Sequence, residues 1–502
     1  MRVPTAASWI VVLVMMLWAA DAPAVAVRDG QPASPEAKAL ERLTRSAKRA
    51  LEAADSEPPA DAERRLSAVL DDPAFGKLSR RLRAELLWVA SGVAADAGNL
   101  SLSRRRVQLL TKLRPDLTWG WYRLARVEAA MGNDQAAIDH IVHVLQTWPE
   151  WSVNLGRSDL QAFQFAGRDH PAAQRRWLEA LFATGWNARP NSASGMRMRL
   201  VELQLADGDT EQAAQTASLI LHPMDVVGLR VDRRLAALHS GPGEDLDPVR
   251  RGRRLLQDLR VRAQDAPTDL EAINELIELL LVLGDIDEAL ALSTDTLSRI
   301  EEGGDLAEDP TFLRPWVANH RSTALLRQGD TEAAVAQLIA ASQMAESPDG
   351  GNTSQLLNLA TLYLRLNRPA AALDLLDQVS NPSPYGRMVM ERCRFAANLD
   401  NPEVAEEALG YLREHQDDGI LQWLDALLSA DRIDEAAATV VVQLADDEDR
   451  TTVLFWLQSF WNTELPADGR YRQARQQLLD RADVKAAIAA VGHIERFDVY
   501  QG

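Results

Sequence analysis

An all-α chain of tandem helical hairpins is the fold class this sequence predicts, on three observations. First, residues 118–151 carry two successive runs at helical spacing. Trp121, Leu124, Ala125 and Glu128 share one face of a first helix, and Ala137, Ile141, Val144 and Leu145 share one face of a second. Second, the same slots recur 34 residues upstream as Leu87, Ala90, Ser91, Gly98, Ser103, Val107, Leu110 and Pro115. Third, Ala and Leu dominate a chain that is 46% hydrophobic and 25% charged, while β-branched alternation is scarce. At 502 residues the chain is too long for one compact core, so the hairpins must stack in a row.

Within 118–151, Gly132-Asn133-Asp134 separates the two helices with residues that tolerate the left-handed conformation ending one helix and an Asp that can cap the next. Ala125 and Ala137 are small where two helix backbones must approach. Such a hairpin leaves its outer apolar edges bare and needs neighbours on both sides. The order of Trp121, Leu124, Ala125, Gly132, Ala137, Ile141, Val144 and Pro149 resembles the tetratricopeptide repeat (TPR). The resemblance covers 84–449 and implies a TPR-like α-solenoid, a right-handed superhelix of about eleven hairpins, whose role is to hold a partner protein.

Taken in order, Arg2, the apolar run 9–20 and Ala24-Val25-Ala26 read as a signal peptide over 1–26, cleaved after Ala26. The apolar run is shorter than the roughly 20 residues a membrane span needs, and no later run is long enough either. With the Ala- and Arg-rich composition, this leads us to expect a periplasmic, bacterial exported protein. The lone cysteine, Cys393, leaves no disulfide framework and fits a packing slot. Sequons at Asn99 and Asn352 carry no weight in that setting.

Residues 27–83 read as an N-terminal helical segment with a divergent first hairpin, entered at Ser34-Pro35 and broken at Pro58-Pro59. Turn residues then stand at 98, 132, 208, 284, 329, 367, 400 and 431. The two gaps of 76 residues are each about two repeats long and predict hidden hairpins within 152–191 and 227–264, the second broken at 240–243. An acidic, Gly-containing stretch, 301–315, is expected to project as a loop. From 450 to 502 the repeat spacing fails; helices over 450–463, 470–479 and 484–491 and a tail over 496–502 read as a C-terminal helical cap.

No H-E-x-x-H, G-x-S-x-G, phosphate-binding loop or cysteine pair occurs, so neither catalytic residues nor a cofactor is assigned. That pattern excludes a TPR-fused metalloprotease, and no compact domain for a lytic transglycosylase is visible. His140 and His143 share a helix face, but without a third ligand no metal site is assigned. Trp119, Trp121, Trp148, Trp151, Trp177 and Trp186 crowd into 68 residues. Trp119, Trp148 and Trp151 lie near hairpin ends, where a ring either pads the next hairpin or faces a groove. With Arg123 they form the candidate partner groove.

Charge is uneven. Residues 228–262 hold nine Arg against five acids, whereas 401–449 hold fourteen acids against two Arg. Solvated helix faces account for such runs, but Arg250, Arg251, Arg253 and Arg254 also form a candidate patch for an anionic partner. A net charge of −19 argues against nucleic acid. The order of inner residues Trp88, Arg123, Asn274, Asn319, His320 and Asn358 does not match a carboxylate clamp. The expected function is a non-enzymatic periplasmic scaffold for an envelope or secretion partner. Alternatives are a carbohydrate-binding or exopolysaccharide-export protein using the Trp- and Arg-rich surfaces, and an enzyme with an unrecognised site.

Overall fold

A computed structural model describes residues 35–187, 190–239, 246–303, 311–345, 351–447 and 449–501. The expected signal peptide, the break at 240–243 and the middle of the expected acidic loop lie outside the described residues. Among the described residues the chain is all-α apart from two short strands, and it divides into two compact units, the first ending at Ala188 and the second beginning at Arg189. Both expected boundaries, 83 and 449, fall inside these units.

In the first unit the helices are α1 (Pro35–Ser56), α2 (Pro59–Leu70), α3 (Arg80–Asp96), α4 (Leu100–Leu113), α5 (Thr118–Ala130), α6 (Asp134–Thr147), α7 (Arg157–Gly167) and α8 (Pro171–Ala183). They pair as successive antiparallel hairpins, and the expected hidden hairpin of 152–191 is α7/α8. The local chemistry is plain. Ser79 and Asn99 accept from the third residue of the helices they open, and prolines stand in the first turns of α2 and α8, where a missing N–H costs nothing. Gly132 ends α5 at φ +72°, and the amide behind it, on Asn133, reaches back to the Glu128 carbonyl at 2.9 Å. Ala125 and Ala137 are fully buried where α5 crosses α6.

Successive hairpins are stapled by buried charge. Arg106, 4% exposed, forks onto the Glu63 carboxylate at 2.5 and 2.6 Å and also donates to the Ala90 carbonyl and the Ser67 hydroxyl. Arg104 pairs with the buried Glu128 at 2.7 Å, and Asn133 donates to the same carboxylate.

The second unit continues with α9 (Pro190–Ala206), α10 (Thr210–Ser218), α11 (Pro223–Val231), α12 (Arg233–Ala236), α13 (Pro248–Asp265), α14 (Leu270–Leu283), α15 (Ile286–Glu301), α16 (Arg314–Arg327), α17 (Thr331–Ser342), α18 (Thr353–Arg365), α19 (Pro369–Leu376), α20 (Pro384–Ala397), α21 (Pro402–Glu414), α22 (Ile420–Ser429) and α23 (Ile433–Ala445). Hairpin turns at 208, 284, 329, 367 and 431 use left-handed residues, the last two being Asn367 and Asp431, which adopt that conformation more readily than other side chains. At the expected turn residue Asp400 the backbone keeps a negative φ, and Asn398 and Asn401 close the turn instead.

The C-terminal segment departs from expectation. It comprises α24 (Arg450–Trp456), β1 (Ser459–Trp461), α25 (Asp468–Asp480), α26 (Ala482–Val491) and β2 (Arg496–Tyr500). The helix expected over 450–463 stops at Trp456, and the expected tail is a strand pairing parallel to β1, Ser459 opposite Arg496 and Trp461 opposite Tyr500. The physical reason is a period of two: Phe497 and Val499 are buried while Arg496 and Asp498 face out.

This segment also returns to α11 and α12, near the start of its own unit. Phe497, Val499 and Leu454 share one apolar core with Val227, Val231 and the α14 leucines. Thr451 donates to the buried Asp232 at 3.1 Å, and Asp232 bridges antiparallel to Gly492. A Cβ on Gly492 would sit 2.1 Å from the Val231 carbonyl oxygen, so only glycine allows this approach. Arg233 forks onto the Ala489 and Ala490 carbonyls, and Arg230 pairs with Glu495 at 2.9 Å. Further along, Arg365 holds Asp468 at 2.7 Å and the Thr463 carbonyl, while the Arg327 guanidinium lies 4.1 Å from the centre of the Tyr500 ring.

Candidate partner-binding site

Around the α5/α6 hairpin the aromatic residues form two separate ring groups. One is centred on α5, where Trp119, Tyr122, Arg123 and Arg126 fall at i, i+3, i+4 and i+7 and therefore share a face. Trp119 stands edge-to-face with Trp151 at 4.1 Å, with Trp88 at 6.3 Å and with Tyr122 at 6.5 Å. Trp88 is presented by α3 and Trp151 by the six-residue 3-10 helix after α6 (Pro149–Asn154), so two successive hairpins and the segment that follows them build the cluster. Trp88 and Trp151 are buried, and Trp119, Tyr122 and Arg123 are half-buried.

Polar groups frame the rings. The Arg123 guanidinium lies 3.2 Å from the centre of the Trp88 ring and donates to the Trp88 carbonyl at 2.6 Å and the Ser91 hydroxyl at 3.0 Å. Desolvation among the rings pushes its pKa down to about 9, against the pull of Asp96, which leaves it charged at neutral pH. Desolvation, aided by the neighbouring Asp159, raises the Tyr122 hydroxyl, so it stays a proton donor. Arg126 meets Asp159 at 3.2 Å, and Asp159 in turn accepts from the Gly156 amide that opens α7. The buried Trp151 indole N–H makes no hydrogen bond among the described residues. The arrangement offers flat apolar rings, a fixed cation and hydrogen-bond donors, which suits a segment presenting an apolar side chain or ring beside an acceptor.

Of the four groove candidates, Trp119, Arg123 and Trp151 therefore meet, and Trp148 does not. Trp148 belongs to the second group, 5.7 Å from His143, whose ring lies 4.5 Å from Trp121. Trp121 donates to the Pro115 carbonyl at 3.0 Å, so these rings tie the hairpin end down. Desolvation lowers the His140 pKa in this packing, and no group of three metal-ligating side chains occurs among the described residues. Tyr122, Arg126 and Asp159 were missed from sequence. The α5 periodicity places the first two, whereas nothing in the sequence brings in Asp159 from α7.

The arginine patch is less uniform than its sequence. Arg251 is buried, 3% exposed, and donates to the Ala217 and Ile220 carbonyls at 3.2 and 2.9 Å, closing the end of α10. Its charge faces inward because α13 buries that face. Arg253 pairs with Asp285, and Arg260 with Glu288. Arg250 and Arg254 are exposed. The acidic stretch is partly neutralised as well, Glu435 by Arg432 and Asp447 by Arg234 and Arg450. Cys393 is buried against Thr361. No helix among the described residues is long and apolar enough to cross a membrane.

No protein-family model matches the sequence, and no curated protein matches it. Solved structures similar to the chain include the TPR domain of P58(IPK), at 14% identity over 78% of this chain and 98% of that one, TM-score 0.20. Naa15/Naa10 bound to HypK-THB is similar at 14% identity over 90% of this chain and 71% of that one, TM-score 0.28. A circular tandem repeat protein is similar at 16% identity over 90% and 96%, TM-score 0.11.

Proposed function

We propose that the protein is a non-enzymatic scaffold that holds a segment of another protein against the first unit, with Trp119, Arg123 and Trp151 as anchors. The observation that supports this most is the convergence of two hairpins and the segment after them on one ring cluster with a charged guanidinium locked over Trp88. Aromatic and arginine side chains concentrate binding energy because they offer large, rigid area with a polar handle. Folds of stacked hairpins serve as extended binding surfaces. The apolar run at residues 9–20, with Ala24-Val25-Ala26 after it, supports export to the periplasm and a partner in an envelope or secretion complex.

The test is crosslinked affinity capture from periplasmic extract with the wild-type chain and with Trp119→Ala and Arg123→Gln. A defined protein recovered by the wild type and lost with both variants supports the proposal. Recovery of nothing above background counts against it. A second reading, an anionic polysaccharide bound at Arg250 and Arg254 within the second unit, draws on the exposure of those two residues. Tryptophan quenching by soluble anionic glycans that weakens with added salt would favour it.

A further inference from the structure

An open row of hairpins touches only nearest neighbours, so its two ends open independently. The second unit is built otherwise, because its last segment is bonded to α11 and the start of α12 across more than two hundred residues of chain, as in Thr451 to Asp232 and Glu495 to Arg230. We infer that residues 450–500 work as a clasp that joins α11 and α12 to the last hairpin of this unit, so that the two open together in one step when the clasp lets go.

The contacts divide the work. Gln458, 2% exposed, donates to the Leu454 and His493 carbonyls at 2.7 and 3.1 Å and accepts from the Glu495 amide at 2.8 Å, which welds α24 to the chain entering β2. Gly492 then admits that chain against Val231, and the Arg230–Glu495 pair, about one-third exposed on each side, closes the outer edge. The inner contacts make the clasp tight, and the outer ion pair is the part a charge can prise open. Because Leu454, Phe497 and Val499 belong to the same core as Val231, partial release would bare apolar surface, which favours an all-or-none step. The inference stands independently of what the first unit binds.

Hydrogen exchange of the full chain read by mass spectrometry tests it, using Arg230→Glu, Glu495→Arg and the double exchange. Each single variant sets like charges together and is expected to speed exchange about tenfold over α11, α24, β1 and β2 alike, since one opening uncovers them all. The double exchange restores wild-type rates, and the scattering radius of the single variants rises. Faster exchange confined to β2 and the last residues, with α24 at its wild-type rate, would mean local fraying and overturn the clasp. Unchanged exchange throughout would overturn it equally. Gly492→Val drives a side chain into the Val231 carbonyl and is expected to give the same pattern more strongly; if it does not fold, the charge series decides.

Discussion

Single residues carry most of their meaning through what they are buried against. Asp225 shows this best. Desolvation pushes its pKa up to about 7, with the Ser194 hydrogen bond opposing and the Glu278 charge assisting. Its unfolded carboxyl titrates near about 3.9. The folded chain thus holds a proton that the unfolded chain has released, and stability falls as pH rises from about 4 to about 7. The side chain keeps 24% of its exposure, so water tempers the effect. Urea midpoints at pH 5 and pH 8 are expected to differ less for Asp225→Asn than for the wild type; an equal difference would show that this carboxyl is not responsible. Arg251 is a second case. Arg251→Ala removes charge-assisted bonds to two carbonyls and is expected to cost about 2–3 kcal/mol in chemical denaturation. A patch residue serving only an external anion would leave the midpoint unmoved. Ala137→Glu, placing a charge in a fully buried helix crossing, is expected to destabilise by about 3 kcal/mol or more, read as a lowered Tm.

At the level of elements, the helices were legible because their evidence is local. Apolar spacing, a proline in the first turn and a glycine or asparagine at the end each act within a few residues, and α5, α6, α14 and α18 start and stop where those signals stand. The strands were not legible, since β1 is three residues long and β2 five, and each is stable only against the other and the core beneath. Gly284 joins both kinds of evidence. It ends α14 at φ +81°, as the spacing predicts, and a Cβ there would also meet the Trp461 ring at 3.1 Å, which no spacing shows. Gly284→Ala is expected to cost about 1–2 kcal/mol from the left-handed backbone alone, and pairing it with Trp461→Ala should recover part of any excess. A double-mutant cycle with no coupling would show that the ring does not press on this turn.

For the molecule as a whole, the two units differ in how their ends are held. Removing residues 450–502 takes away α24 through β2 and exposes Val227, Val231 and the α14 leucines that they cover. Thermal unfolding of that truncated chain, followed by exchange in each unit, is expected to broaden and shift downward for the second unit while the first keeps its wild-type transition. A second unit that unfolds as sharply as before would place its cooperativity in the hairpin row itself.

The sequence by itself determined the all-helical class, the hairpin repeat and its turns, and the place of Trp119 and Arg123 on α5 away from its packing face, because periodicity and capping are decided by neighbours in the chain. The tertiary structure alone decided that Trp148 leaves the cluster while Trp88 and Asp159 join it, that Arg251 turns inward, and that the C-terminal segment returns to Asp232. Those outcomes depend on which distant surfaces meet. Burial and pairing across tens to hundreds of residues leave no period in the sequence from which they could be read.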